Sequence, residues 1–222
     1  MMNDNIYRRF LQLPLFQGVS HQDFLEIAGR VRFDFRTLSD NQIIIRQGTP
    51  CNSYFFIIGG EYEREHVNNS PTYVLTERFN RPAVLDVESL YGLHPYYFNT
   101  YRCIRTVTLL EIKKEVVFNV LMNYATFRMN YMNMFNYLAS KRRDMLWQGM
   151  PASIEERFVL FLRTRLSVLR GPKQIRIRQS VLAHELATNT INVSRMLSKL
   201  RDKGWLSYGR LHIDIPAVEL LL

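Results

Sequence analysis

The chain has 222 residues, 47% hydrophobic and 13% aromatic, enough for two modest domains with real cores and too apolar for disorder. A formal net charge of +9 favours an acidic partner, nucleic acid or an anionic membrane surface. Two widely spaced cysteines, Cys51 and Cys103, give neither a disulfide framework nor a metal-ligand pair, and no apolar run approaches a membrane span. Since Asn3-Asp4-Asn5 also interrupts any leader pattern, a cytoplasmic protein without a membrane partner is expected.

In chain order, Ile6–Phe10 and Phe24–Val31 predict two short amphipathic helices, the second capped by Ser20. Short alternating runs follow between Phe33 and Ile112: Gln42–Arg46, Ser53–Ile58, Glu61–His66, Tyr73–Arg78 and Tyr101–Ile112. Punctuated by Gln47-Gly48, Gly59-Gly60 and Asn68-Asn69-Ser70-Pro71, they predict a small antiparallel barrel or jelly roll. Tyr91, Tyr96, Tyr97, Phe98 and Tyr101 cluster beside His94, either lining an apolar pocket or filling a core.

From Lys113 the pattern is helical to about Trp147. Phe127, Tyr131, Met134, Leu138, Lys141 and Met145 recur at four- and three-residue steps. Such a seam is expected to pair two copies, with Phe127, Tyr131, Met134, Leu138 and Met145 as its dimerisation residues. Met132, Phe135, Ala139 and Leu146 form a second apolar face, expected to lie on the barrel. Gln148-Gly149-Met150-Pro151 breaks the helix, and Ser153-Ile154-Glu155-Glu156 predicts a capping box opening another, with Ile154, Phe158, Phe161, Leu162 and Leu166 inward and Gly171-Pro172 as its stop. Ile175 and Ile177 among Lys173, Arg176 and Arg178 predict a short strand whose charges face phosphate or, alternatively, a solvated edge.

Residues Ser180 to Lys203 predict two short helices at a tight turn, the first capped by Ser180, the second started by Thr188-Asn189-Thr190. The outward face of the second shows Thr190, Asn192, Arg195, Lys199 and Arg201, side chains of the kinds that read base edges and hold phosphates. A plain helical hairpin with a solvated basic face is the alternative. Gly204 ends that helix, and Trp205 to Ile213 alternates across Gly209-Arg210 like a hairpin. Residues 151–222 hold twelve Lys/Arg against six Asp/Glu, so positive charge concentrates there.

The run ELATNTINVSRMLSKLRDKGWL (Glu185–Leu206), followed by a hairpin, resembles the winged helix-turn-helix of the Crp/Fnr transcription regulators in the spacing of Ala187, Val193, Arg195, Leu197, Leu200 and Gly204. IIIRQGTPCNSYFFIIGGEYE (Ile43–Glu63) is similar to that family's cyclic-nucleotide-binding-type barrel, with Gly48, Gly59 and Gly60 at its turn positions. The resemblance implies an α+β protein: an effector-type antiparallel β-barrel with N-terminal helices (1–112), a helical connector and dimerisation helix (113–149), and a winged helix-turn-helix (150–222). It implies a homodimeric, sequence-specific DNA-binding regulator, not an enzyme, with double-stranded DNA bearing a palindromic operator and RNA polymerase as partners. The implied DNA contacts are Thr190, Ile191, Asn192, Arg195, Lys199, Arg176, Arg178 and Lys203. Relatives that read TGTGA place Arg, Glu and Arg where Thr190, Ile191 and Arg195 stand, so an operator differing from TGTGA but keeping one guanine is expected.

The implied effector pocket holds Asp86, Glu88, Tyr97, Phe98 and Arg102. The Arg-Ser pair that grips a cyclic nucleotide's phosphate falls at Tyr97-Phe98, and Asp86 stands where it would repel phosphate, so cyclic AMP is not expected and the effector stays open. Two cysteines cannot supply the iron–sulfur set of some relatives, and no cofactor is expected. His184-Glu185 lacks the second His of a zinc protease, Thr188 standing in its place, and no glycine loop or nucleophile elbow is present. The alternative is a ligand-sensing or protein-interaction module that no longer binds DNA specifically.

Overall fold

The computed structural model describes residues 2–68 and 72–222. In chain order these form α1 (Met2–Leu11), α2 (His21–Arg30), β1 (Asp34–Leu38), β2 (Ile43–Ile45), β3 (Ser53–Gly59), β4 (Tyr62–Val67), β5 (Tyr73–Phe79), β6 (Ala83–Val84), β7 (Thr100–Cys103), β8 (Val107–Lys113), α3 (Lys114–Asn119) and α4 (Ala125–Leu146). Then come α5 (Ile154–Arg165), β9 (Lys173–Ile177), α6 (Gln179–Glu185), α7 (Thr190–Asp202), β10 (Ser207–Tyr208) and β11 (His212–Ile215). Two compact units result: Met1–Glu63 with Phe79–Ser140, and Arg64–Arg78 with Lys141–Leu222. They cut the chain differently from the division at 112 and 149, and the connector is not a separate body.

In the N-terminal unit, β1, β8, β3 and β6 form one antiparallel sheet, and β2 pairs with β7. The core is aromatic: Phe16, Tyr54, Phe56, Tyr62 and Phe127 are almost fully buried, Phe16 meeting Phe56 at 5.5 Å and Phe127 at 5.2 Å between ring centres. The expected run Tyr101–Ile112 is two strands. Between them the amides of Ile104 and Arg105 both donate to the Glu61 carbonyl. Gly60 makes that approach possible, since at φ +110 a Cβ would stand 2.3 Å from the Thr106 carbonyl oxygen. Strand β1 gives no alternating signal because it lies at the sheet edge, mostly exposed. Residues Asn69-Ser70-Pro71 of the expected turn lie outside the described residues; Asn68 Oδ1 accepts from the amides of Thr72 and Tyr73.

The long helix expected from Lys113 is broken. Leu121–Asn123 is a 3₁₀ turn between α3 and α4, with the Asn123 carboxamide on the Asn119 carbonyl. The two faces of α4 are also exchanged relative to expectation. Phe127 is fully buried in its own chain's core, and Tyr131, Met134 and Leu138 pack against that core; Met145 is half-buried. Met132 and Leu146, expected on the barrel, are 50% and 84% exposed, with Met129 at 54%. Both rows have helical spacing, but the Phe127 row carries the larger rings, so its burial releases more apolar surface from water.

In the C-terminal unit, β10, β11, β9 and β5 lie side by side. A core of Phe158, Phe161, Leu162, Ile175, Leu182, Val193, Leu197 and Ile213 joins α5, α6 and α7 to this sheet. Helix α5 opens with the full capping box: Ser153 Oγ accepts from Glu156 N, and Glu156 Oε2 accepts from Ser153 N. It stops at Arg165, well before Gly171-Pro172. Ser180 is not the cap of α6, since the helix starts at Gln179 with Arg178 in the cap position and no capping side chain.

Candidate nucleic-acid interface

Helix α7 begins where Asn189 Oδ1 accepts from Asn192 N at 2.9 Å, after Ala187 takes a left-handed turn at φ +48. Arg157 of α5 braces this corner by donating to the Leu186 and Ala187 carbonyls at 3.3 and 3.1 Å. Val193, Met196, Leu197 and Leu200 point into the core. The opposite face shows Thr190, Ile191, Arg195 and Lys199 exposed, with Asn192 partly so. Gly204 takes φ +73 to end the helix, and the β10–β11 wing follows, joined back to α7 where the hydroxyls of Ser198 and Tyr208 bond at 2.8 Å.

The cations on this surface differ in how far they are engaged. Arg195 is exposed, and no ion pair involving it is present among the described residues. Ile191, 62% exposed on a polar face, offers an apolar contact. Asn192 donates its carboxamide to Thr188 Oγ1 at 3.2 Å. Lys199 Nζ lies 2.7 Å from Glu155 Oε1, and that ammonium holds the Glu155 carboxyl below the usual carboxylate range. Lys203 sits 4.3 Å over the Trp205 ring. Arg178 is exposed, and the exposed Arg176 is 4.0 Å from Glu65.

Lys173 corrects the expectation that all the charges of β9 face outward. It is 3% exposed and lies 3.1 Å from the buried Glu77. Strand alternation explains this, because residue 173 shares a face with Ile175 and Ile177 while Arg176 takes the other. Three residues were missed: Glu155 and Arg157, whose roles depend on contacts distant in sequence, and Arg210, exposed in the wing turn. Only Arg210 carried a local signal, from its place after Gly209.

The five expected effector-pocket residues do not form one pocket. Asp86, 5% exposed at φ +42, accepts from Phe98 N, Asn99 N, Asn99 Nδ2 and Tyr101 OH at 2.6–2.9 Å. It clasps its own loop rather than facing a ligand. The Tyr97 hydroxyl donates to the Ser53 carbonyl at 2.7 Å, and Phe98 is half exposed. Glu88 is partly buried and does not line the cleft that Tyr97 and Arg102 share with Ile43, Ile44 and Phe55, an open space of about 780 Å³.

A recognition-type helix with a polar outer face, a wing beside it, and a small antiparallel barrel define a two-unit DNA-binding regulator. The sequence model of the cyclic nucleotide-binding domain matches residues 35–124, and that of the Crp-like helix-turn-helix domain matches residues 157–222. The chain belongs to the Crp/Fnr family of DNA-binding transcription regulators. Its fold is similar to that of the Thermus thermophilus catabolite activator protein, with 18% identity over 94% of this chain and 96% of that one and a TM-score of 0.51. The sensor domain of the regulator DNR from Pseudomonas aeruginosa is similar over 68% of this chain and 98% of its own, with 14% identity and a TM-score of 0.53. At these identities the likeness is one of fold. Comparison with curated proteins gave no match. No helix among the described residues is long and apolar enough to cross a membrane.

Proposed function

We propose that the protein acts as a cytoplasmic homodimer that reads a two-fold-related operator, with α7 of each subunit in the major groove and half-sites about one helical turn apart. The observation that carries this reading is the exposed Arg195 on a helix whose other face is locked into the core. Arg195 grips a guanine through O6 and N7, Ile191 meets a thymine methyl, and Thr190 touches the adjacent edge. Asn192 reads adenine only by leaving Thr188. Arg176, Arg178, Lys199 and Lys203 hold phosphates, and Lys173 is withdrawn from that set because it is buried.

The partner subunit packs on the exposed row of α4, Met129, Met132, Ala139 and Leu146, instead of on Phe127, Tyr131, Met134 and Leu138. Steps of three and seven residues put that row on one helix face. The Asp86 clasp supports a regulator indifferent to cyclic AMP, because the donors nearest a phosphate there are already taken. RNA polymerase enters as a partner on the ground of family alone, and no catalytic role is assigned. Site selection from random DNA, with the parent and Arg195→Ala, tests the reading. The expected result is an inverted repeat other than TGTGA, with one guanine preference lost in the variant; a parent that selects TGTGA, or a variant that keeps every preference, overturns it.

A further inference from the structure

Strand β5 belongs to the stretch matched by the cyclic nucleotide-binding domain, yet it completes the sheet of the C-terminal unit. It pairs antiparallel with β9 over five residues, from Tyr73 opposite Ile177 to Glu77 opposite Lys173. Tyr73 and Leu75 are buried in the same core as Phe158, Phe161 and Ile175. Arg165 donates to the Tyr73 hydroxyl at 2.7 Å.

The strongest tie is electrostatic. Glu77 has no exposed surface; it pairs with Arg64 and with Lys173, and accepts from Ser167 N, Ser167 Oγ and Val168 N at 2.9–3.3 Å. Arg64 also donates to the Arg165 carbonyl at 3.2 Å. Burial alone would raise the Glu77 carboxyl, but Arg64, Lys173 and the Ser167 donors outweigh it and hold it below the usual carboxylate range. Without Glu77, Lys173 would be a buried cation lacking its counter-charge, which is strongly unfavourable. The same strand β9 carries Arg176, and its last residue precedes Arg178; Glu65 of β4 reaches Arg176.

We infer that Arg64–Arg78 is an integral part of the DNA-binding unit, and that Glu77 is a positioning residue that fixes β9 and, through it, Arg176 and Arg178 against the DNA backbone. The inference rests on the phosphate-contact reading of those two arginines. The segment joins the rest of the chain through the peptide bonds at Glu63–Arg64 and Arg78–Phe79. A pull on β5 therefore reaches β9 through paired backbone, without passing through the recognition helix.

The test uses the full chain and its selected DNA site. Glu77→Gln should reduce the salt dependence of binding by about two units of slope, one for each loosened arginine, and leave the preferred sequence unchanged. A general loss of fold would erase the preference as well. Hydrogen exchange at Lys173–Ile177 should quicken by about tenfold in that variant. Glu77→Gln combined with Lys173→Met removes one of the two unbalanced charges, Arg64 keeping its bond to the Arg165 carbonyl, and should restore both readouts in part. As a second arm, Thr76→Cys with Gln174→Cys joins two directly opposed positions, whose Cα atoms in such ladders lie about 4.5–5.5 Å apart, within disulfide reach. The oxidised form should bind DNA within about twofold of the reduced form, since β5 stays docked when DNA binds. A greater loss on oxidation overturns the inference, as does a Glu77→Gln protein with native salt slope and native exchange. Should the parent bind no DNA, the phosphate-contact reading fails by itself, and exchange at β9 still decides whether Glu77 positions the strand.

Discussion

Replacing Asp86 tests whether its carboxylate is the clasp of the N-terminal unit. Four donors converge on it, three of them in buried bonds: Asn99 N, Asn99 Nδ2 and Tyr101 OH. Leaving a buried donor unpaired costs about 1–3 kcal/mol, so even the low end for three gives about 3 kcal/mol for Asp86→Ala. The left-handed backbone at φ +42 adds up to about 1 kcal/mol, because Asp tolerates that region better than Ala. Asp86→Asn keeps one acceptor oxygen and the backbone preference, and should lose about half as much. Urea unfolding followed by circular dichroism reads the loss. Trp147 and Trp205 both lie in the other unit, so their fluorescence serves as an internal control that should hardly move. A change below about 1 kcal/mol for Asp86→Ala, or equal changes for Ala and Asn, would refute the clasp.

Arg195→Ala should lose about 1–3 kcal/mol at one guanine and little elsewhere, read by competition between the selected site and single-base variants. Glu155→Gln frees Lys199 from an exposed pair, so DNA affinity at low salt should rise by up to about fivefold and converge with the parent at high salt, as measured by fluorescence anisotropy. Met132→Glu should split the dimer in light scattering while the melting curve holds, whereas Leu138→Glu should instead destabilise the barrel core against which that residue packs. The pH dependence follows from Glu77, faced by Arg64, Lys173 and, more weakly, Lys141. Its carboxyl is depressed in the fold, so its stabilisation is full above about pH 4.3, the unfolded value, and disappears as pH falls through the lower folded value. Acid titration of Trp fluorescence should show that loss, and Glu77→Gln with Lys173→Met should remove that component.

The parts legible in the sequence are those where short-range rules decide. Asn189 and Ser153 cap as their spacing indicates, Gly204 ends α7, and four of the five predicted strand runs match single strands. The faces of α4 were not legible, because Phe127–Leu138 and Met129–Leu146 are both apolar rows at helical spacing. Which one the barrel takes depends on where Phe16 and Tyr54 present their rings, a matter of tertiary packing. Lys173 was misassigned because charge was weighed above alternation; period two already grouped it with Ile175 and Ile177. The partner that makes its burial tolerable, Glu77, is almost a hundred residues away. Asp86 was read from its charge as facing a phosphate site; its four donors come from residues 98–101 folding back on it, contacts that no local pattern announces.

The internal carboxylates of the C-terminal unit bear on how tightly it holds DNA. Lys199 is paired with Glu155, Arg176 with Glu65 and Arg201 with Asp202. Under the proposed docking, Lys199 and Arg176 exchange a carboxylate for a phosphate and any phosphate near Arg201 competes with Asp202, so the gain on meeting any DNA backbone is smaller than the charge suggests. Arg195 has no such ion pair among the described residues. The cost of exchange therefore falls on contacts common to all sequences and spares the contact that distinguishes one site from another. Discrimination is a difference between two affinities, so a cost paid at contacts common to every sequence lowers both affinities and leaves the difference to the base contact. Neutralising Glu155, Glu65 and Asp202 together should therefore strengthen binding everywhere and leave the ratio of specific to nonspecific affinity nearly unchanged; a change in that ratio would show that these cations touch bases.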